Sequence, residues 1–168
     1  AESPTDGFSN TFFGSDPVNL DTANSNQNTF VGRTNAFGGQ LALTSGSQNA
    51  AVGSGALRAL TTASDNTAMG AFALNKITTG GQNSAFGRFA GNNLVSGVQN
   101  TFIGNTAGDR LATSTGSVLV GALSYGFSGA NFEANRVTTL GFRAGYNATD
   151  GSNNNILIGY QAADSLTT

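Results

Sequence analysis

Few side chains in this sequence could carry chemistry. His and Cys are both absent, which removes Ser-His-Asp and Cys-His nucleophilic systems and nearly all zinc sites, because each needs an imidazole or a thiolate. Carboxylates are left. A pair of acids flanking a glycosidic bond can hydrolyse it, one protonating the leaving oxygen while the other attacks or activates water. The candidates are Glu133 and Asp150, in the two least regular stretches, with Asp109 as a further acid. Nothing in the linear order brings them together, and solvated loop residues are the simpler reading, so no catalytic residue is assigned.

Other constellations are weaker still. Asp150-Gly151-Ser152-Asn153-Asn154 is rich in oxygen but lacks the alternating acids of a calcium loop and reads as a turn. No Gly-rich phosphate loop with Lys-Ser/Thr occurs, and Asn147-Ala148-Thr149 is the one glycosylation sequon. No metal and no cofactor is expected. Thr61-Thr62 and Thr78-Thr79 align as on a Thr-rich face that binds ice, but the row lapses to Val95-Ser96 and Ala112-Thr113. β-Branched residues suit any sheet surface.

The framework that would position these residues is a repeat. Asn49 to Gly116 divides into four units of 17 residues, each opening with Asn: Asn49, Asn66, Asn83 and Asn100. Position 4 is apolar (Val52, Met69, Phe86, Ile103) and position 5 is Gly (Gly53, Gly70, Gly87, Gly104). Position 8 is Ala (Ala56, Ala73, Ala90, Ala107), and position 12 is Leu60, Ile77, Leu94 or Leu111. Such a period is the signature of a solenoid. Residues 1–9 read as an irregular lead-in and 10–168 as one β-solenoid domain, with regular coils over 49–116, longer coils over 10–48 and 117–154, and an incomplete last coil over 155–168. A start at Ala1 and a stop within a unit suit a processed or excised chain.

Composition agrees. Only 10% of residues are charged while 38% are apolar, and the 24 Gly fall periodically, which a disordered linker does not need. A net charge of −2 offers no basic stripe for nucleic acid and no polybasic surface for anionic lipid, and no apolar run is long enough to insert in a membrane. Helix is disfavoured by Gly and by clusters of Thr, Ser and Asn. Short strands fit, one at positions 2 to 4 and another near 11 to 14, joined by Gly-assisted bends. About nine coils spaced ~4.8 Å apart would make a rod on the order of 40 Å long.

Alternate strand residues face opposite sides, so positions 3 and 4 cannot share one interior. Both are apolar, as in Ala68-Met69, Ala85-Phe86 and Phe102-Ile103. One face can line the coil; the other needs a partner, most economically identical chains around one axis. The Asn column reads as a stacked amide ladder or as an exposed binding row. Lys76 and Arg110 share position 11 two coils apart, which keeps like charges off adjacent rungs.

Asn-x-x-apolar-Gly-x-x-Ala, as in NTFIGNTAG and NILIGYQAA, resembles the head repeats of YadA-like trimeric autotransporter adhesins, and is similar to repeats in trimeric phage tail fibres. The resemblance covers 10–168 and implies a left-handed parallel β-roll assembled as a homotrimer. Adhesin units are typically shorter than 17 residues, and no neck, stalk or anchor is present in this sequence. The expectation is a non-enzymatic segment at a cell or virion surface, with glycan-cleaving spike and ice-binding solenoid as alternatives. A host-surface glycan or protein would bind at the longer loops, through Phe37, Gln40, Tyr125, Phe127, Asn131, Phe132, Glu133, Tyr146 and Asp150.

Overall fold

The computed structural model describes residues 10–14, 19–20, 27–33, 42–126, 132–149 and 151–164. Among them the chain forms only short strands and turns. In chain order these are β1 (Thr11–Phe13), β2 (Asn19–Leu20), β3 (Thr29–Val31), β4 (Ala42–Leu43), β5 (Ala50–Val52), β6 (Thr67–Met69), β7 (Ser84–Phe86), β8 (Thr101–Ile103), β9 (Leu111–Thr113), β10 (Val118–Val120), β11 (Phe132–Glu133), β12 (Thr138–Leu140) and β13 (Ile156–Ile158). One sheet of nine parallel strands runs β1-β3-β5-β6-β7-β8-β10-β12-β13, and the pairs β2-β4 and β9-β11 lie apart from it. The register is unbroken along the main sheet, so Ala68 pairs with Ala85, Ala85 with Phe102 and Phe102 with Leu119. The fold is an all-β parallel solenoid of about seven turns.

Inter-coil bonding continues through the turns. Position 7 donates to the coil before (Phe72 N–H to Ser54 O, 2.9 Å), whereas position 9 donates to the coil after (Leu74 N–H to Ala90 O, 3.0 Å). This alternation accompanies a backbone pattern that composition does not reveal. Among the described residues, those other than Gly with positive φ lie at unit position 7, at position 9 or at the last residue of a unit: Phe72, Phe89 and Leu123 at the first, Leu57, Leu74 and Tyr125 at the second, Gln48, Gln82, Gln99 and Arg136 at the third. Left-handed backbone costs an L-residue about 1–2 kcal/mol. Here it satisfies amides that a tight turn would otherwise leave unpaired. Position 5 is more restrictive. Gly87 has φ 137°, and a Cβ there would sit 2.4 Å from the carbonyl oxygen of Gly104, so only Gly fits.

The second limb departs from the strand expected near positions 11 to 14. Among the described residues, paired strands occur there only as β2 with β4 and β9 with β11, the latter with a register shift between Phe132 and Glu133, and a single bridge joins Val98 to Thr115 at position 16. In the first regular coil the N–H groups of Thr61, Thr62 and Ala63 all converge on the carbonyl of Thr78, at 3.3, 3.1 and 3.2 Å. Three donors on one acceptor make a bend, not a ladder.

The interior is one residue deep. Position 3 (Ala51, Ala68, Ala85, Phe102, Leu119), position 8 (Ala56, Ala73, Ala90, Ala107) and position 12 (Leu60, Ile77, Leu94, Leu111) are buried and form one continuous core. Position 4 faces outward on every rung for which a side chain is described.

Candidate functional site

The Asn column stands inside the coil as a hydrogen-bonded ladder. Asn83 donates its amide to Asn66 Oδ1 (3.0 Å) and to the carbonyl of Gly97 (2.8 Å). Its own Oδ1 accepts from the backbone N–H and the side-chain amide of Asn100, at 3.1 and 2.9 Å. The same pattern joins Asn10, Asn28, Asn49 and Asn66. Ser117 then takes the place of Asn: its N–H donates to Asn100 Oδ1 (3.0 Å), and its Oγ accepts from Val137 N–H (3.1 Å). These side chains are buried and spend their donors and acceptors on one another, leaving none for a ligand.

The loop residues expected to bind do not form one site. Phe37, Gln40, Phe127, Asn131 and Asp150 lie outside the described residues, and for Phe132 only the backbone is described, paired with Leu111. Tyr125 is a correction: it is fully buried, and its hydroxyl donates to the carbonyl of Ser152 at 2.8 Å. Burial pushes its phenol up to about 12, partly offset by that hydrogen bond. Its place at position 9, in line with the core residues Leu57 and Leu74, is the signal in the sequence that would have found this. Tyr146 is half-buried, with the Arg143 guanidinium 4.0 Å over its ring, and Arg143 also reaches Asp164 at 3.6 Å.

The acids are placed as follows. Glu133 is exposed on β11, and its backbone carbonyl accepts from Gly151 N–H at 3.1 Å, which sets the segment around Gly151 on the adjoining rung. Asp109 lies in the turn before β9; burial raises its carboxyl above the usual range, opposed by a bond to Asn92 and by the charges of Arg110 and Lys76. The Asn153 turn is held by protein contacts, with Asn153 Oδ1 accepting from Asn135 N–H at 2.6 Å and its amide donating to Gly151 O at 3.0 Å. The Thr61 and Thr78 hydroxyls donate to the carbonyls of Thr78 and Val95, at 2.9 and 3.2 Å, so they serve coil stacking.

Among the described residues, the outer face of the long sheet is open on the surface. Positions 2 and 4 share it. Position 4 is an apolar row, with Val52, Met69, Phe86, Ile103 and Leu140 between 38% and 52% exposed. Position 2 is mostly hydroxyl-bearing, and beside it Asp65, Gln82 and Gln99 with Ser84 and Thr101 line a shallow groove of ≈ 500 Å³. No family model, no curated relative and no solved structure matches the chain.

Proposed function

We propose that this chain builds a rigid homotrimeric rod of about nine left-handed coils and serves, without catalysis, as an adhesin-head or tail-fibre segment that presents a binding surface outside the cell or on a virion. The observation that carries this reading is the outward apolar row at position 4, from Phe13 and Val31 through Met69 and Phe86 to Leu140 and Ile158. A parallel sheet is ordinarily covered on both faces, and a contiguous exposed apolar band of this kind marks an interface. Copies related by rotation about an axis parallel to the rod bring the same row together on every rung. The number three and the handedness come from the adhesin-like and fibre-like repeat.

Light scattering of the full chain at micromolar concentration tests it. The expected mass is that of three 16.9 kDa chains, and Met69→Lys with Phe86→Lys should release folded monomers or prevent assembly. A monodisperse wild-type monomer would overturn the trimer. The sequence flanking this segment separates the two settings: a C-terminal membrane-anchor β domain marks an adhesin, and an autoproteolytic chaperone marks a viral fibre.

A further inference from the structure

We propose that the turn corner of the four regular coils is a binding strip for an acidic polysaccharide laid along the rod. The proposal rests on the reading of the chain as a rod that presents a binding surface, but it does not need the trimer.

Each regular coil carries one basic residue, and the four fall in the same turn, at unit positions 6 to 11: Arg58, Lys76, Arg88 and Arg110. Successive rungs, ~4.8 Å apart, therefore each carry one cation in this turn, with Lys76 and Arg88 exposed and Arg58 and Arg110 half-buried. Residues 49–116 hold these four cations against two acids, Asp65 and Asp109, a net of +2 within a chain of net −2. The Lys76 ammonium is exposed and bonded to Asn93 Oδ1 at 2.6 Å, and the carboxylate of Asp109, the one acid in this turn, lies near both Lys76 and Arg110, so four cations face one acid here.

The same corner carries groups that fit sugar rings. Phe72 and Phe89 stack with centroids 5.2 Å apart, and the exposed Arg88 guanidinium lies 4.1 Å over Phe89. A Cβ on Gly55 would meet Phe72 Cδ1 at 2.7 Å and Asn75 Nδ2 at 3.3 Å, so ring and amide stand side by side. Half-buried rings accept the apolar face of a sugar, amides bond hydroxyls, and Arg and Lys take sulfate or carboxylate. Past the Gly bend at position 5, this corner leaves the apolar sheet row for other contacts.

The test titrates the full chain, checked as folded by circular dichroism, with dextran sulfate, neutral dextran, inorganic polyphosphate and duplex DNA. Dextran sulfate should bind and neutral dextran should not, with affinity falling at least about tenfold between ~50 and ~300 mM salt. Replacing Arg58, Lys76, Arg88 and Arg110 by Gln should weaken binding at least about tenfold, while Arg136→Gln with Arg143→Gln changes it by no more than about twofold. Phe89→Asn, which suits the positive φ, should weaken dextran sulfate more than polyphosphate. No binding by folded wild type overturns the proposal, and so does a Phe89→Asn variant that treats sulfated sugar, polyphosphate and DNA alike. Light scattering on the same samples separates the two readings: a trimer that ignores dextran sulfate overturns the strip alone, and a monomer that binds it supports the strip while removing the trimer.

Discussion

A Cβ placed on Gly108 would lie 2.9 Å from both Cδ1 and Cε1 of Phe102. The strand residue and the turn residue of one coil thus share a single volume, and neighbouring coils share it too, since a Cβ on Gly91 would meet Phe102 Cδ2 at 2.6 Å. In three of the coils size trades between positions 3 and 9, whereas Ala85 and Gly91 are both small beside Phe102, and Leu119 and Tyr125 are both large. Coils with Ala51 or Ala68 on the strand place Leu57 or Leu74 in the turn, whereas Phe102 is matched by Gly108.

Exchange across that pair is the first prediction. Phe102→Ala should cost about 3–5 kcal/mol through the cavity it leaves. Gly108→Leu should cost about 1–3 kcal/mol through overpacking. Leu57 and Leu74 already adopt this backbone, with φ 52° and 47°, so the obstacles are side chains, the Phe102 ring first and Leu119 Cδ1 of the next coil at 3.1 Å behind it. The double variant recreates the Ala68–Leu74 pairing and should be more stable than the sum of the single changes by at least about 1 kcal/mol in urea unfolding. Additive losses would refute the exchange.

Asn83 tests the buried ladder. Its replacement by Ala leaves the N–H and amide of Asn100 without their acceptor and the Gly97 carbonyl without its donor. The expected loss is about 3 kcal/mol, because stranded buried groups keep their full desolvation cost. Asn83→Ser should recover part of it, as Ser117 relays the same ladder through its hydroxyl. Equal losses for Ala and Ser would show that packing, not hydrogen bonding, sets the cost.

Tyr125 gives the protein an alkaline limit. Its folded value of about 12 lies above the ordinary 10.0, so between the two the native state holds a proton that the unfolded chain has released. Stability contributed by the neutral phenol is complete below pH 10 and should fall by about 1.4 kcal/mol per pH unit as pH rises toward 12. Tyr125→Phe should lose about 1 kcal/mol at neutral pH with the Ser152 bond, and should flatten the alkaline slope by one proton in chemical unfolding at stepped pH. An unchanged slope would place the titrating group elsewhere.

Much of the fold was legible because a repeat states its register openly. Asn, Gly and Ala recur every 17 residues, and short strands at positions 2 to 4 follow because Gly, Thr, Ser and Asn disfavour helix and supply the bends. The direction of that strand was not legible from hydrophobicity, since positions 3 and 4 are both apolar. Asn decides it in space: with position 1 turned inward to the ladder, position 3 must follow and position 4 must face out. The candidate site was less legible. Expectation fell on loops with unusual sequence, of which Tyr125 proved to be core, while the one cation per coil is spread over positions 6, 10 and 11 and escapes a search by column.

By itself the sequence determined the repeat length, the all-β class, the recurring Gly at position 5, and the lack of imidazole and thiol. Only the tertiary structure decided which strand face is buried, that Phe, Leu and Gln occupy left-handed backbone, and that Phe102 and Gly108 divide one volume. The reason is physical: periodicity belongs to the chain, whereas burial, left-handed turns and shared volume are settled between coils, where each residue's cost is met by bonds and contacts from residues about 17 positions away.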